Sequence, residues 1–108
     1  MAYNLKLAER IRTEIQGLPI IEKKMFGGVA FMVSGNMAVG VIRDDLIARV
    51  GLEHYQAALT KPGADLFKPT QRTAVGWVTV APVGLQTDED LKYWIELALK
   101  FVKTLPAK

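Results

Sequence analysis

The chain has 108 residues, half of them hydrophobic, which suits one packed domain spanning 1–108 and excludes a disordered chain. It contains no cysteine, so disulfide frameworks, zinc–thiolate and iron–sulfur sites and thiol nucleophiles are excluded. Fourteen Lys and Arg interleave with eleven acids for a formal charge of +3, a dispersed balance unlike that of a dedicated nucleic-acid binder.

The start, Met1-Ala2-Tyr3-Asn4-Leu5-Lys6, reads as no signal peptide, and no apolar run approaches the roughly 18 residues that span a bilayer. A cytoplasmic location without membrane contact is the expectation. Asn4 can cap a helix to about Gln16, with Leu7, Ala8, Ile11 and Ile15 on one side and Gly17 and Pro19 at its end. Glu22–Phe26 reads as a first strand, ended or bulged at Gly27-Gly28. Val29–Ser34 and Met37–Ile42 follow as a hairpin turned at Gly35-Asn36, and Asp44-Asp45 turns the chain into Leu46–Val50.

Gly51 breaks the sheet before a short helix, Leu52–Leu59. Two prolines and a glycine make Lys61–Pro69 a loop. Thr73–Val80 is the last expected strand, stopped by Pro82. Thr87-Asp88-Glu89-Asp90 resembles a capping box opening a helix to about Thr104, with Leu91, Trp94, Ile95, Ala98 and Val102 on its buried side. The fold class is therefore α+β: an antiparallel sheet of about five strands in a meander, with helices at the N-terminus, middle and C-terminus packed on it.

The expected turns set a register. With Gly35-Asn36 and Asp44-Asp45 as two-residue loops, Phe31 opposes Gly40 and Ile42 opposes Ile47. One face then carries Ala30, Met32, Met37, Val39, Val41, Leu46, Ala48 and Val50, and goes to the core. The other carries Val29, Phe31, Val33, Ile42 and Ile47 around Arg49, too apolar for a solvated face. Phe31, Ile42, Ile47 and Arg49 are thus the candidate interface for a homodimer or a protein partner.

Few residues carry chemistry. His54 is the sole histidine, and with no cysteine it cannot assemble a zinc site, so neither a metal nor another cofactor is expected. Asp44-Asp45 suits a turn, and Asp88, Glu89 and Asp90 suit a helix start. Gly27-Gly28 lacks the Lys-Ser or Lys-Thr of a phosphate loop and runs into a strand, and Ser34 stands in a hairpin with no nucleophile elbow. No catalytic residue is identified, and no enzymatic activity is expected. Lys23 and Lys24 beside Phe26, with Arg43, Arg49 and Arg72, are the candidate nucleic-acid contacts, and weak or indirect binding is all they imply unless they converge on one face. A small-ligand site would need an enclosed pocket with converging polar groups around Trp77 and His54.

Lys24-Met25-Phe26-Gly27-Gly28, an apolar hairpin turned at Gly35, then Asp45-Leu46 and Arg49, resembles the N-terminal domain of the TfoX/Sxy family. Gly76-Trp77-Val78, followed by Trp94 in a terminal helix, is similar to that domain's closing strand and helix. The resemblance implies an α+β fold with an antiparallel sheet and membership of a group of bacterial regulators of competence genes. Those regulators act beside the cyclic-AMP receptor protein, with no established enzymatic residues. The chain ends at Lys108, so a stand-alone domain without the second helical domain of those regulators is expected. The implied function is a non-catalytic protein-interaction module in transcription regulation, its partner part of the transcription machinery.

Overall fold

A computed structural model describes residues 3–25 and 27–107. The chain begins with α1 (Leu5–Glu14), and Asn4 caps it by accepting from the Leu7 backbone N–H at 3.0 Å. β1 (Ile20–Met25), β2 (Gly28–Val33), β3 (Asn36–Ile42) and β4 (Asp45–Arg49) then run as an antiparallel meander. After α2 (Leu52–Leu59) come β5 (Ala64–Leu66), β6 (Trp77–Val80), a 3₁₀ turn at Pro82–Gly84, and α3 (Asp88–Val102). β6 pairs with β4, and β5 lies outside it, giving six antiparallel strands in the order β1-β2-β3-β4-β6-β5. The α+β architecture expected from the sequence is the one observed. Within it, a three-residue strand stands inside the stretch read as loop. An outermost strand bonds on one side only, so three residues between Gly63 and Pro69 suffice.

All three helices lie on one face of the sheet. Leu7, Ala8 and Ile11 of α1, Tyr55 and Ala58 of α2, and Leu91, Trp94, Ile95, Ala98 and Val102 of α3 pack with Phe31, Val39, Val41, Leu46, Ala48, Val78 and Val80 in one cluster. The 3.6-residue period of the helices and the two-residue period of the strands converge on this layer. Its polar edges are closed by specific bonds. Thr87 and Asp90 exchange side-chain and backbone bonds at 3.0 and 3.2 Å, completing the capping box. The buried Asn36 amide donates to the Pro106 carbonyl at 3.0 Å, tying the end of the chain to β3.

The register departs from the expected one at two turns. The β2–β3 loop is Ser34-Gly35, both at positive φ (51° and 84°), the pairing of a tight hairpin turn. Asn36 is a strand residue whose side chain is committed to Pro106, which removes it from the turn. The β3–β4 loop is Arg43-Asp44, with Arg43 at φ 54° and its carbonyl accepting the Asn4 N–H at 2.7 Å. A bulge between Phe31 and Met32 leaves Ala38 without a partner, so Phe31 pairs with Val39 and Ala30 with Gly40.

A one-residue slip exchanges the faces of a strand. Val29 and Phe31 therefore lie on the helix side, while Ala30, Met32 and Met37 lie on the other. The candidate interface is corrected at Phe31, which is 0 % exposed beneath the helices.

Candidate functional site

The face turned away from the helices holds a second, smaller apolar cluster: Ala30, Met37, Ile47 and Phe67, with Met25, Met32, Ile42, Ala74 and Trp77 partly buried around it. Phe67 and Ala74 come from the segment between β5 and β6, which folds back over the sheet and is closed by the Ala74 N–H donating to the Phe67 carbonyl at 2.8 Å. Ile47 is thereby buried, Ile42 half-exposed, and Arg49 half-exposed at the end of β4. Ile42, Ile47 and Arg49 share this face as expected. Ile47, however, is covered by the chain's own Phe67.

The cationic candidates separate. Adjacent strand residues point to opposite faces, so Lys23, opposite Ala30, lies on the second face, and Lys24, opposite Val29, lies on the helix side. Arg43 joins Lys68 beside Ile42 and Ile47, Arg49 pairs with Trp77, and Arg72 rides on the covering segment. Among the described residues, the carboxylates on or beside this side are Asp45 and Asp65, with Glu53 next to Arg49. Five cations against these three acids leave a positive balance of +2. The helix layer mixes both signs, as in Arg12 bonded to Glu22 and Arg10 beside Asp88 at 3.8 Å.

Two hollows open on or beside this face. One, of about 470 Å³, has Ile42, Ile47, Leu66 and Phe67 as its apolar lining and Arg43, Asp45, Asp65, Lys68 and Thr79 as its polar groups. Burial there raises the Asp45 carboxyl above its ordinary range, with repulsion from Asp44 adding and Arg43 opposing. The other, of about 420 Å³, lies where β4, α2, β6 and α3 meet and is lined by Arg49, Leu52, Val75, Trp77 and Phe101. The Arg49 guanidinium lies 5.1 Å from the Trp77 ring centre and 5.5 Å from that of Phe101.

The motif residues serve the hinge between β1 and β2 and the start of β6. Lys24 and Met25 end β1, Phe26 lies outside the described residues, and Gly27 takes φ 74° in the turn. At Gly28 a Cβ would collide with the Val41 carbonyl oxygen, so a side chain there would push β2 off β3. Gly76, at φ 91°, accepts the Val50 N–H at 2.8 Å and sets Trp77 against Arg49. His54 lies on α2 and lines neither hollow, and among the described residues no group of three His, Cys, Asp or Glu could hold a metal ion. Asp88 and Asp90 are engaged at the start of α3. No helix among the described residues is long and apolar enough to cross a membrane.

Sequence reasoning missed Phe67, Leu52, Val75 and Phe101. A lone aromatic in a proline- and glycine-flanked loop was the available signal for Phe67. The other three gather only through tertiary contact. Among protein families, the TfoX N-terminal domain matches residues 16–102. No curated protein and no solved structure gives a match.

Proposed function

This chain belongs to the TfoX N-terminal domain family, and we propose that it is a non-catalytic interaction module that works through protein contacts in gene regulation. The observation that carries this reading is the second sheet face. Half-exposed Met25, Met32, Ile42 and Trp77 surround a small buried cluster, within a rim whose charge balance is positive. A partly covered apolar centre with a charged rim is the composition of a reversible protein contact, and Trp and Arg are the residues that most often dominate such contacts. The partner that fits is a protein surface, acidic at its edge and apolar at its centre, belonging to the transcription machinery or to a second copy of the chain.

The test is affinity capture with wild type, with Met32→Glu and Ile42→Glu, and with the helix-side control Glu9→Lys. Sedimentation over a range of concentrations serves self-association. A partner or dimer kept by wild type and the control, and lost in both face variants, supports the reading. Retention in the face variants, or loss in the control alone, sinks it.

The positive balance of the same face supports a second reading, direct contact with nucleic acid. Few simultaneous phosphate contacts give weak binding that salt removes. Labelled duplex DNA is expected to bind without sequence preference and to be released near physiological salt. Sub-micromolar binding that persists there, and that Lys23→Glu abolishes, would move this reading ahead of the first.

A further inference from the structure

We infer that the hollow at the junction of β4, α2, β6 and α3 is a binding site for a small apolar carboxylic acid, held by Arg49. The argument begins with the guanidinium. The Arg49 guanidinium carbon lies 5.1 Å from the Trp77 ring centre and 5.5 Å from that of Phe101, so its planar head rests against two aromatic rings. Among the described residues it has no ion-pair partner and no hydrogen-bond acceptor. A guanidinium held beside two aromatic rings, with its N–H groups unpaired among the described residues, is available for bidentate pairing with a planar oxyanion.

The walls define the rest of the ligand. Leu52 and Val75 are 71 % and 59 % exposed, and with Trp77 and Phe101 they give the hollow apolar walls. The space, about 420 Å³, falls within the range of small-molecule sites. Among the described residues, Glu53 is the one other charged residue lining the hollow. A single cation with an acid nearby favours one negative charge over two, which selects a carboxylate over a phosphate monoester. The site shares Trp77 and Arg49 with the protein-contact face, but the face variants at Met32 and Ile42 line neither wall, so failure of one reading is distinguishable from failure of the other.

Phenylacetate titrated into isotopically labelled protein, followed by the amide and indole N–H resonances, tests the assignment. Saturable shifts are expected at the Trp77 indole and at residues 49–53 and 75–77, with roughly millimolar affinity for so small a ligand. Arg49→Gln should weaken binding ~10-fold or more, as loss of a charge-assisted pair does. Phenylacetamide, which lacks the charge, should show the same loss. Val75→Glu changes an exposed residue and puts a negative charge at the mouth. It should also abolish binding, which keeps the test valid should Arg49→Gln fold poorly. Equal binding of the acid and its amide, retention in both variants, or shifts confined to another part of the molecule would overturn the assignment. Phenyl phosphate binding tighter than phenylacetate would overturn the choice of carboxylate. An end-blocked acidic peptide binding tighter than phenylacetate would overturn the choice of a free acid over a protein side chain.

Discussion

The two faces of the sheet are built from similar residues and do different work. On the helix side, Phe31, Val39, Val41, Leu46, Val78 and Val80 are all within 1 % of full burial beneath three helices. On the other side, a single segment between β5 and β6 buries Ala30, Met37 and Ile47 under Phe67 and leaves Met32, Ile42 and Trp77 half open. Apolar area stabilises in proportion to what is removed from water. The first face therefore carries the stability, and the second retains surface for contact. Charge follows the same division, with paired acids and bases around the helices and a positive balance on the open side.

The largest expected effect is at Phe31. Phe31→Ala should cost about 3–5 kcal/mol, a large part of the whole stability of a domain of this size, and Phe31→Asp should prevent folding. Urea unfolding monitored by circular dichroism measures both. An Asp variant that folds and merely dissociates would return Phe31 to the open face. Phe67→Ala, which uncovers Ile47, should cost about 1–3 kcal/mol, because the segment can resettle and water already reaches its rim. A loss as large as that of Phe31→Ala would mean that the second cluster is a full core and leaves no contact surface.

Thr87→Ala removes one half of the capping box and should cost about 1 kcal/mol in the same assay, since Asp90 and its neighbours continue to favour the start of α3. An unchanged midpoint would show that packing alone holds that helix.

The smallest effects are electrostatic and of opposite sign on the two sides. Arg12 holds the Glu22 carboxyl below its ordinary range by hydrogen bonding, against desolvation and with coulombic help. A carboxyl lowered on folding contributes stability above its unfolded pKa and loses it as pH falls through the folded value. The pair is about 40 % exposed, so Glu22→Gln should lose well under about 1 kcal/mol near neutrality and nothing below the folded value. Asp45, raised on folding, favours its protonated form in the fold and so weakens stability as pH rises. Asp45→Asn should therefore raise the melting temperature slightly at pH 7, and the gain should vanish at acid pH. A gain that grows on acidification would reverse the sign assigned to Asp45.

Much of this architecture was legible before the structure. Asn4, the helix at Leu52–Leu59, the capping box at Thr87 and the buried stripe of α3 follow from local rules, and they stand where those rules put them. The faces of β4, and of β3 from Val39 to Ile42, were also legible, because the shift of their shared turn moves the pairing by an even number of residues, whereas Met37, on the far side of the bulge at Ala38, takes the face opposite to the expected one. β2 was not. Its face depends on a one-residue bulge, and Gly35-Asn36 is as good a turn signal as Ser34-Gly35 until Asn36 finds the Pro106 carbonyl.

The candidate site was legible only in pieces. Ile42, Ile47 and Arg49 could be assigned to one face from alternation alone, and the resemblance to the TfoX N-terminal domain rested on short motifs. The covering segment, the gathering of Lys23, Arg43, Arg49, Lys68 and Arg72, and the meeting of Arg49 with Trp77 and Phe101 belong to the tertiary structure. The sequence by itself determined the helices, most of the strands and the absence of thiol chemistry, because each rests on residues a few positions apart or on composition. Which apolar face is closed, which stays open and which cation is left unpaired were decided by contacts between residues far apart in sequence, such as Arg49 and Phe101, 52 positions apart, and Asn36 and Pro106, 70 apart. No local periodicity encodes such a meeting.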